Sequence, residues 1–293
     1  MDLITHFVGY IKNEKRYSSN TVLAYFNDIS QFSEFLIKNF ARIELKNASF
    51  RHVRSWIVSL MENSIEARSV NRKLSSLNIF YKFLIRENIV KFNPTEKIIP
   101  PKNKKRLPIF IEEKQMLNLT TNIDFGNGFI GLRNKLVITL LYGTGIRLSE
   151  LISLKIEDID FYENSIKVLG KRNKERIIPF GNQLKIELKQ YIIERAKVNS
   201  KTNNVFVTEK GLSFYPKLVY RIVTHYIGMV ATIEKKSPHI LRHTFATHLL
   251  NNGADLNAIK ELLGHANLAA TQVYTHNSFE KLRNIYKKAH PRA

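Results

Sequence analysis

Four prolines, Pro94, Pro100, Pro101 and Pro108, surround the run Lys102-Asn103-Lys104-Lys105-Arg106, and no helix or central strand can run through such a stretch. The like charges repel one another, so the segment reads as an extended basic linker over 93–108. This divides the chain into an N-terminal part, 1–92, and a C-terminal part, 109–293. With 293 residues, 44% of them hydrophobic, there is material for two cores.

The N-terminal part shows helical periodicity only. Leu3, Phe7, Tyr10 and Ile11 form a first stripe. A second begins at Ser18 or Ser19 and carries Val22, Tyr25, Phe26, Ile29, Phe32 and Leu36. Val53, Trp56, Ile57, Leu60 and Met61 make a third, and Val70, Leu74, Leu77, Tyr81, Leu84 and Ile85 a fourth. The spacing predicts an all-helical bundle. The start of its fourth helix is basic, with Arg68, Asn71, Arg72 and Lys73 clustered beside Ser64 and Ser69. The formal net charge of +21 favours a polyanionic partner, although charge by itself does not separate DNA from RNA or from a solvated basic surface. The chain has no cysteine, which excludes disulfides and thiolate metal sites. Neither a membrane span nor a secretory leader is visible, and a soluble cytoplasmic protein is expected.

Chemistry concentrates between Ser237 and His276. Ser237 as N-cap and Pro238 in the first turn start a helix, which places His239 and Arg242 together one turn apart. Gly253 ends that helix, Asp255 caps the next, and Gly264 ends it in turn, so His265 falls on a corner with Tyr274 shortly beyond. Two histidines, an arginine and a tyrosine on one small volume suit a phosphodiester. Zinc is the competing reading for His239 and His243 at i, i+4, but Ile240 stands where the general-base Glu of H-E-x-x-H belongs.

Upstream, Leu136, Val137, Leu140 and Leu141 mark a buried helix ending at Tyr-Gly-Thr-Gly145. Arg147 follows, and Ser149 is placed to cap a short helix from Glu150 to Leu154. Ile159 to Phe161, Ser165 to Leu169 and Arg176 to Pro179 read as a small antiparallel sheet, with helices over Leu184 to Ala196 and Lys217 to Ala231. The fold class expected is mainly α with that small antiparallel sheet: a helical bundle followed by a mixed α/β domain.

The order His-x-x-Arg-His, Leu-Gly-His and then Tyr nine residues later resembles the tyrosine recombinases. Ser-Pro-His-Ile-Leu-Arg-His-Thr-Phe-Ala-Thr-His-Leu resembles their Xer branch. The resemblance runs from Ser18 to the end of the chain. It implies Arg147 as the first catalytic arginine with Glu150 supporting it, His239, Arg242 and His265 as further phosphate ligands, and Tyr274 as nucleophile. Lys171 matches the first lysine of the family's Gly-Lys-Gly-x-Lys-x-Arg turn, although Arg172 replaces the second glycine. Arg68, Asn71, Arg72 and Lys73 match the helix that Xer-type N-terminal domains lay against DNA.

The implied activity is site-specific recombination through a 3′-phosphotyrosyl intermediate and a Holliday junction, with a C-shaped clamp on double-stranded DNA and chromosome dimer resolution at division as the typical role. The ester energy is kept in the phosphotyrosine, so no ATP, metal or other cofactor is called for. Implied partners are two DNA sites, a homo- or heterotetramer acting alone or with a second related recombinase, and a cell-division DNA translocase. A mobile-element integrase of the same family, a type IB topoisomerase and a catalytically silent DNA-binding protein are the alternatives. In the tail, 278–293, Ser278 is placed to cap a helix with Phe279, Leu282, Ile285 and Tyr286 on one stripe. The resemblance implies that this helix is exchanged between subunits.

Overall fold

A computed structural model describes residues 2–103, 109–170, 175–264 and 276–292. The chain divides into two compact units, Met1–Leu107 and Pro108–Ala293.

In the first unit, Asp2 accepts from the amides of Ile4 and Thr5 and so starts α1 (Leu3–Gly9), which continues as a π-helical turn over Tyr10–Glu14. Ser18 caps α2 (Ser19–Asn39), and α3 (Phe50–Glu62) and α4 (Ala67–Arg86) complete the bundle. Its core is Phe7, Ile11, Ile29, Phe32, Leu36, Trp56, Leu77, Phe80 and Leu84 with their neighbours. Phe26, Met61 and Ile85, assigned above to core stripes, lie at the exposed margins of their helices instead. Apolar residues at the edge of a stripe are shared between core and solvent, and periodicity alone does not sort them. The first half of the proline stretch belongs to this unit. Asn93 bonds Asn78 at 2.8 Å and receives the Thr95 amide at 3.0 Å, and Thr95 is buried.

The second unit begins with α5 (Glu113–Thr121) and the buried α6 (Gly128–Thr144), followed by α7 (Leu148–Ser153). The sheet is β1 (Ile159–Asp160), β2 (Ser165–Leu169) and β3 (Glu175–Pro179), antiparallel in that order, with Ile166 opposite both Ile159 and Ile178. Then come α8 (Asn182–Ala196), α9 (Pro216–Val230), α10 (Pro238–Asn251), α11 (Leu256–Leu263) and α12 (His276–Ala289). The expected helical and sheet segments are thus present, with α12 starting before Ser278. No helix among the described residues is long and apolar enough to cross a membrane.

The stripe of α12 is seated on its own C-terminal unit, where Leu282, Tyr286 and Ala289 are buried. Arg283 pairs with Glu163 at 3.2 Å and Arg292 with Glu187 at 3.1 Å. The His290 ring is enclosed by Tyr142, Phe245 and Tyr286, with centroids 5.0–5.3 Å away. Burial, joined by the positive charge of Arg292, pushes the His290 imidazole down to about 3, so it is neutral when docked. Between its ordinary value of 6.5 and 3 the unfolded chain binds the extra proton, so stability is lost as pH falls through that window. The slope approaches ~1.4 kcal/mol per pH unit for one such group. Melting temperature is therefore expected to fall between about pH 7 and about pH 5, and His290→Phe to flatten that dependence. Parallel pH profiles for the two proteins would remove His290 from the account.

Candidate nucleic-acid active site

The corner after α6 is shaped by glycine. Gly145 adopts φ +60°, and a Cβ there would lie 2.5 Å from the Phe245 ring and 2.9 Å from Leu263. Helix α10 therefore packs directly against this backbone, and Arg242 donates to the Gly145 carbonyl at 2.5 Å. Two residues on, Arg147 is the N-cap residue of α7, and its amide donates to Glu150 Oε2 at 2.8 Å. This corrects the expectation that Ser149 caps a helix from Glu150. A carboxylate three residues into the helix captures the free amide at its entry, so α7 begins at Leu148.

Glu150 is the hub of the site. It is 4% exposed and takes Arg147 Nη1 at 2.7 Å, Arg176 Nη1 at 2.7 Å and Arg176 Nη2 at 2.8 Å. Burial alone would raise its carboxyl, but the hydrogen bonds and charges of Arg176 and Arg147 outweigh that and hold it down to about 2. Arg242 lacks a carboxylate in direct contact among the described residues. Burial first, then the charges of Arg147 and Arg176, push it down to about 9, with Glu150 opposing. Among the described residues one carboxylate thus faces three guanidiniums, an excess of positive charge that suits an anion.

The end of α11 completes the arrangement. Gly264 closes that helix at φ +65°, leaving the last carbonyls without intrahelical partners. Arg176 Nε donates to Leu262 O at 3.0 Å, Arg242 Nη2 to Leu263 O at 2.5 Å and Arg147 Nη2 to Gly264 O at 2.7 Å. Three successive carbonyls at the negative end of a helix each hold a different arginine. The residue that follows is His265.

His239 is exposed in the first turn of α10, one turn ahead of Arg242. The His239 and His243 pair considered for zinc is split between environments, since His243 Nε2 is buried. Lys171, His265 and Tyr274 lie outside the described residues. Arg147, Glu150 and Arg242 are brought together, with His239 on the same helix as Arg242.

Two contributors escaped the sequence reading. Arg176, which the sequence offers as the start of a strand, is the buried clamp that joins β3, α7 and α11. His248, in the same helix as Arg242, bonds Tyr142 Oη through Nδ1 and Ile111 O through Nε2, both at 2.9 Å, while Thr244 Oγ1 accepts from the Ile111 amide at 3.0 Å. Burial lowers the His248 imidazole, which keeps it neutral, donating from Nε2 and accepting at Nδ1. Helix α10 is thereby locked to α6 and to the first residues after the linker. Thr244 and His248, at i and i+4 on one face of the helix, are the available signal.

The basic start of α4 is not uniform. Arg68 is exposed, whereas Lys73 is buried with its Nζ on Asp28 at 3.0 Å and on Gln31. That removes Lys73 from the surface a phosphate can reach, and a charge run in sequence carries no sign of such a partner 45 residues away. Asn71 Nδ2 donates to Pro101 O at 2.9 Å and to Asn103 Oδ1 at 3.3 Å, holding the start of the linker. Arg72 is paired with Asp28 and is half-exposed.

A family model described as the phage integrase family matches residues 110–281, and one for the phage integrase N-terminal SAM-like domain matches residues 4–88. The tyrosine recombinase XerC of Anoxybacillus flavithermus is 41% identical over 292 residues, covering 98% of this chain and 97% of that protein. That of Chlorobaculum tepidum is 35% identical over 314 residues, covering 98% and 94%. Among solved structures, the Tn1549 transposon integrase in complex with circular intermediate DNA shares the fold with a TM-score of 0.73 at 20% identity, covering 96% of this chain and 98% of the other. The XerH site-specific recombinase bound to a palindromic difH substrate does so with a TM-score of 0.71 at 22% identity, covering 96% and 93%.

Proposed function

The chain belongs to the phage integrase family and is a Xer-type, site-specific tyrosine recombinase, and from that premise we propose that it resolves chromosome dimers at cell division by two rounds of strand exchange through a Holliday junction. The observation that carries the catalytic part of this reading is the convergence of Arg147 and Arg176 on Glu150, and of both with Arg242 on the carboxyl end of α11, immediately before His265.

Attack on a phosphodiester builds a five-coordinate phosphorus whose nonbridging oxygens carry the charge. Donors already aimed at that charge are each worth roughly 3 to 4 kcal/mol. Arg147, with its side chain 28% exposed, and Arg242 have donors left over after their protein contacts, and they bind those oxygens together with His239 and His265. Arg176 and Glu150 hold the two arginines in place. The Tyr274 oxygen bonds to phosphorus as its phenol proton passes to solvent, the bond from phosphorus to the 5′-oxygen breaks, Lys171 protonates that leaving oxygen, and the 3′-phosphotyrosyl bond stores the ester energy until a new 5′-hydroxyl reverses the step. Neither ATP nor a metal enters this scheme.

The proposal extends to architecture. The N-terminal unit, through Arg68 and Arg72 on α4, and the catalytic unit each contact double-stranded DNA in the cytoplasm. Four subunits, of this chain alone or with a second related recombinase and under a division translocase, assemble on two sites. In that tetramer α12 leaves its seat for the equivalent groove of a neighbour, where Glu163 and Glu187 take the same basic partners, Arg283 and Arg292. The 41% identity to a XerC over nearly the whole chain favours this role over a mobile-element integrase.

Sequencing of genomic fragments trapped covalently on the protein tests the proposal. Recovery of one recurrent chromosomal site with two inverted half-sites is expected. Fragments that map to the ends of mobile elements would replace the chromosomal role, and relaxation without any recurrent site would point to a topoisomerase.

A further inference from the structure

A single buried carboxylate organises the start of α4. Asp28, on α2 and 1% exposed, accepts from both Nη atoms of Arg72, from Lys73 Nζ at 3.0 Å and from Ser76 Oγ at 2.8 Å. A carboxylate offers about four acceptor positions, and here they are filled. Lys73 and Ser76, both buried, already satisfy Asp28 from inside the bundle. Arg72 is different, because its side chain remains 48% exposed while its guanidinium is gripped at both Nη atoms. The grip fixes the plane and direction of the group before any partner arrives, which removes much of the entropy cost of using it.

The same contact changes what Arg72 is good for. A guanidinium paired directly with a carboxylate has much of its charge compensated, so it gains less from a phosphate than an unpaired arginine does. Its remaining donors, three of the five, are held in a rigid plane. A rigid pair of donors matches the O6 and N7 acceptors that guanine shows in the major groove. Phosphate contacts tolerate loose geometry, whereas base contacts require it to be set.

We propose that Arg72, oriented by Asp28, reads a guanine in each half-site, and that Arg68, exposed one turn earlier, makes the nearby phosphate contact. This rests on the reading that α4 faces DNA. Asp28 is then a positioning residue for specificity, acting only through Arg72.

The test uses the full-length protein. A duplex library randomised across a half-site is selected with the wild type, and every single-base-pair variant of the preferred sequence is then measured against wild type, Arg68→Ala, Arg72→Ala, Arg72→Lys and Asp28→Asn. Wild type is expected to disfavour replacement of one G·C pair by about 5- to 150-fold. Arg72→Lys, which keeps the charge, should lose that discrimination and keep the salt dependence. Asp28→Asn, with its melting curve showing a folded protein, should weaken discrimination at the same pair and no other. Arg68→Ala should weaken all sequences alike and flatten the plot of log affinity against log salt by about one unit. Retained discrimination in Arg72→Lys would overturn the proposal while leaving α4 on DNA. So would a uniform loss with a flatter slope in Arg72→Ala, which is the signature of a phosphate contact. If neither Arg68→Ala nor Arg72→Ala changes affinity or slope, α4 does not face DNA and the underlying reading fails with the proposal.

Discussion

Tyr274→Phe is expected to abolish the covalent protein–DNA adduct while leaving half-site affinity within about twofold of wild type, since the proposed mechanism loses only its nucleophilic oxygen. A phenol titrates near ~10 and is a poor nucleophile at neutral pH unless positive charge surrounds it. In the proposed mechanism Arg147, Arg176 and Arg242 supply that charge, because Glu150 compensates only part of what they bring. Arg147 and Arg176 keep Glu150, and all three arginines keep the α11 carbonyls, when the hydroxyl is lost, so binding and chemistry separate in this variant. The measurement is the yield of detergent-resistant adduct on a nicked substrate, beside a gel shift on the same duplex. An adduct formed by Tyr274→Phe would assign the nucleophile to another residue. Loss of binding together with the adduct would mean that the tyrosine holds the site together and its role in the chemistry is unproven.

What was legible in the sequence is what local chemistry writes there. Asp255 caps α11 through the Asn257 and Ala258 amides, Gly145 and Gly264 take left-handed φ at helix ends, and Pro238 opens α10. Each of these depends on residues within one turn of one another. Arg147, Glu150 and Arg242 were legible for a different reason, namely their place in a recurring order of motifs. The rest depends on partners that sequence does not pair. Arg176 and Glu150 are 26 residues apart, and the acceptors at Leu262, Leu263 and Gly264 are backbone carbonyls, which have no side-chain signature. Lys73 looked like its basic neighbours because Asp28, which draws it inward, sits on another helix. The seat of α12 was undetermined for the same reason. An apolar stripe demands burial, but the surface that buries it, here the protomer's own, is set by tertiary structure.

Arg176 carries the second large effect. Its guanidinium makes three contacts at once, to both oxygens of Glu150 and to Leu262 O, and it is buried. A Cβ at Gly264 would lie 3.0 Å from its Cδ, so the backbone that leads into His265 is packed on this side chain. Arg176→Met leaves Glu150 with Arg147 as its remaining arginine and leaves the Leu262 carbonyl without its donor. Breaking a buried pair in this way costs about 3–5 kcal/mol of stability, toward the lower end here because Arg147 stays. Arg176→Lys restores the charge but not the fork, and a single ammonium cannot span two carboxylate oxygens and a carbonyl in that geometry. If the clamp acts by holding Arg147 and the end of α11, Arg176→Lys should recover much of the melting temperature and still cleave about 10²- to 10³-fold more slowly than wild type, as for loss of one aimed donor. A substrate with sulfur at the 5′-bridging position separates this defect from that of the acid, because its leaving group needs no proton. Lys171→Ala should recover on that substrate, whereas Arg176→Lys and Arg147→Ala should not. Wild-type cleavage by Arg176→Lys would reduce Arg176 to a neutralising charge, and recovery on the sulfur substrate would place its influence on the Lys171 turn rather than on the phosphate-binding arginines.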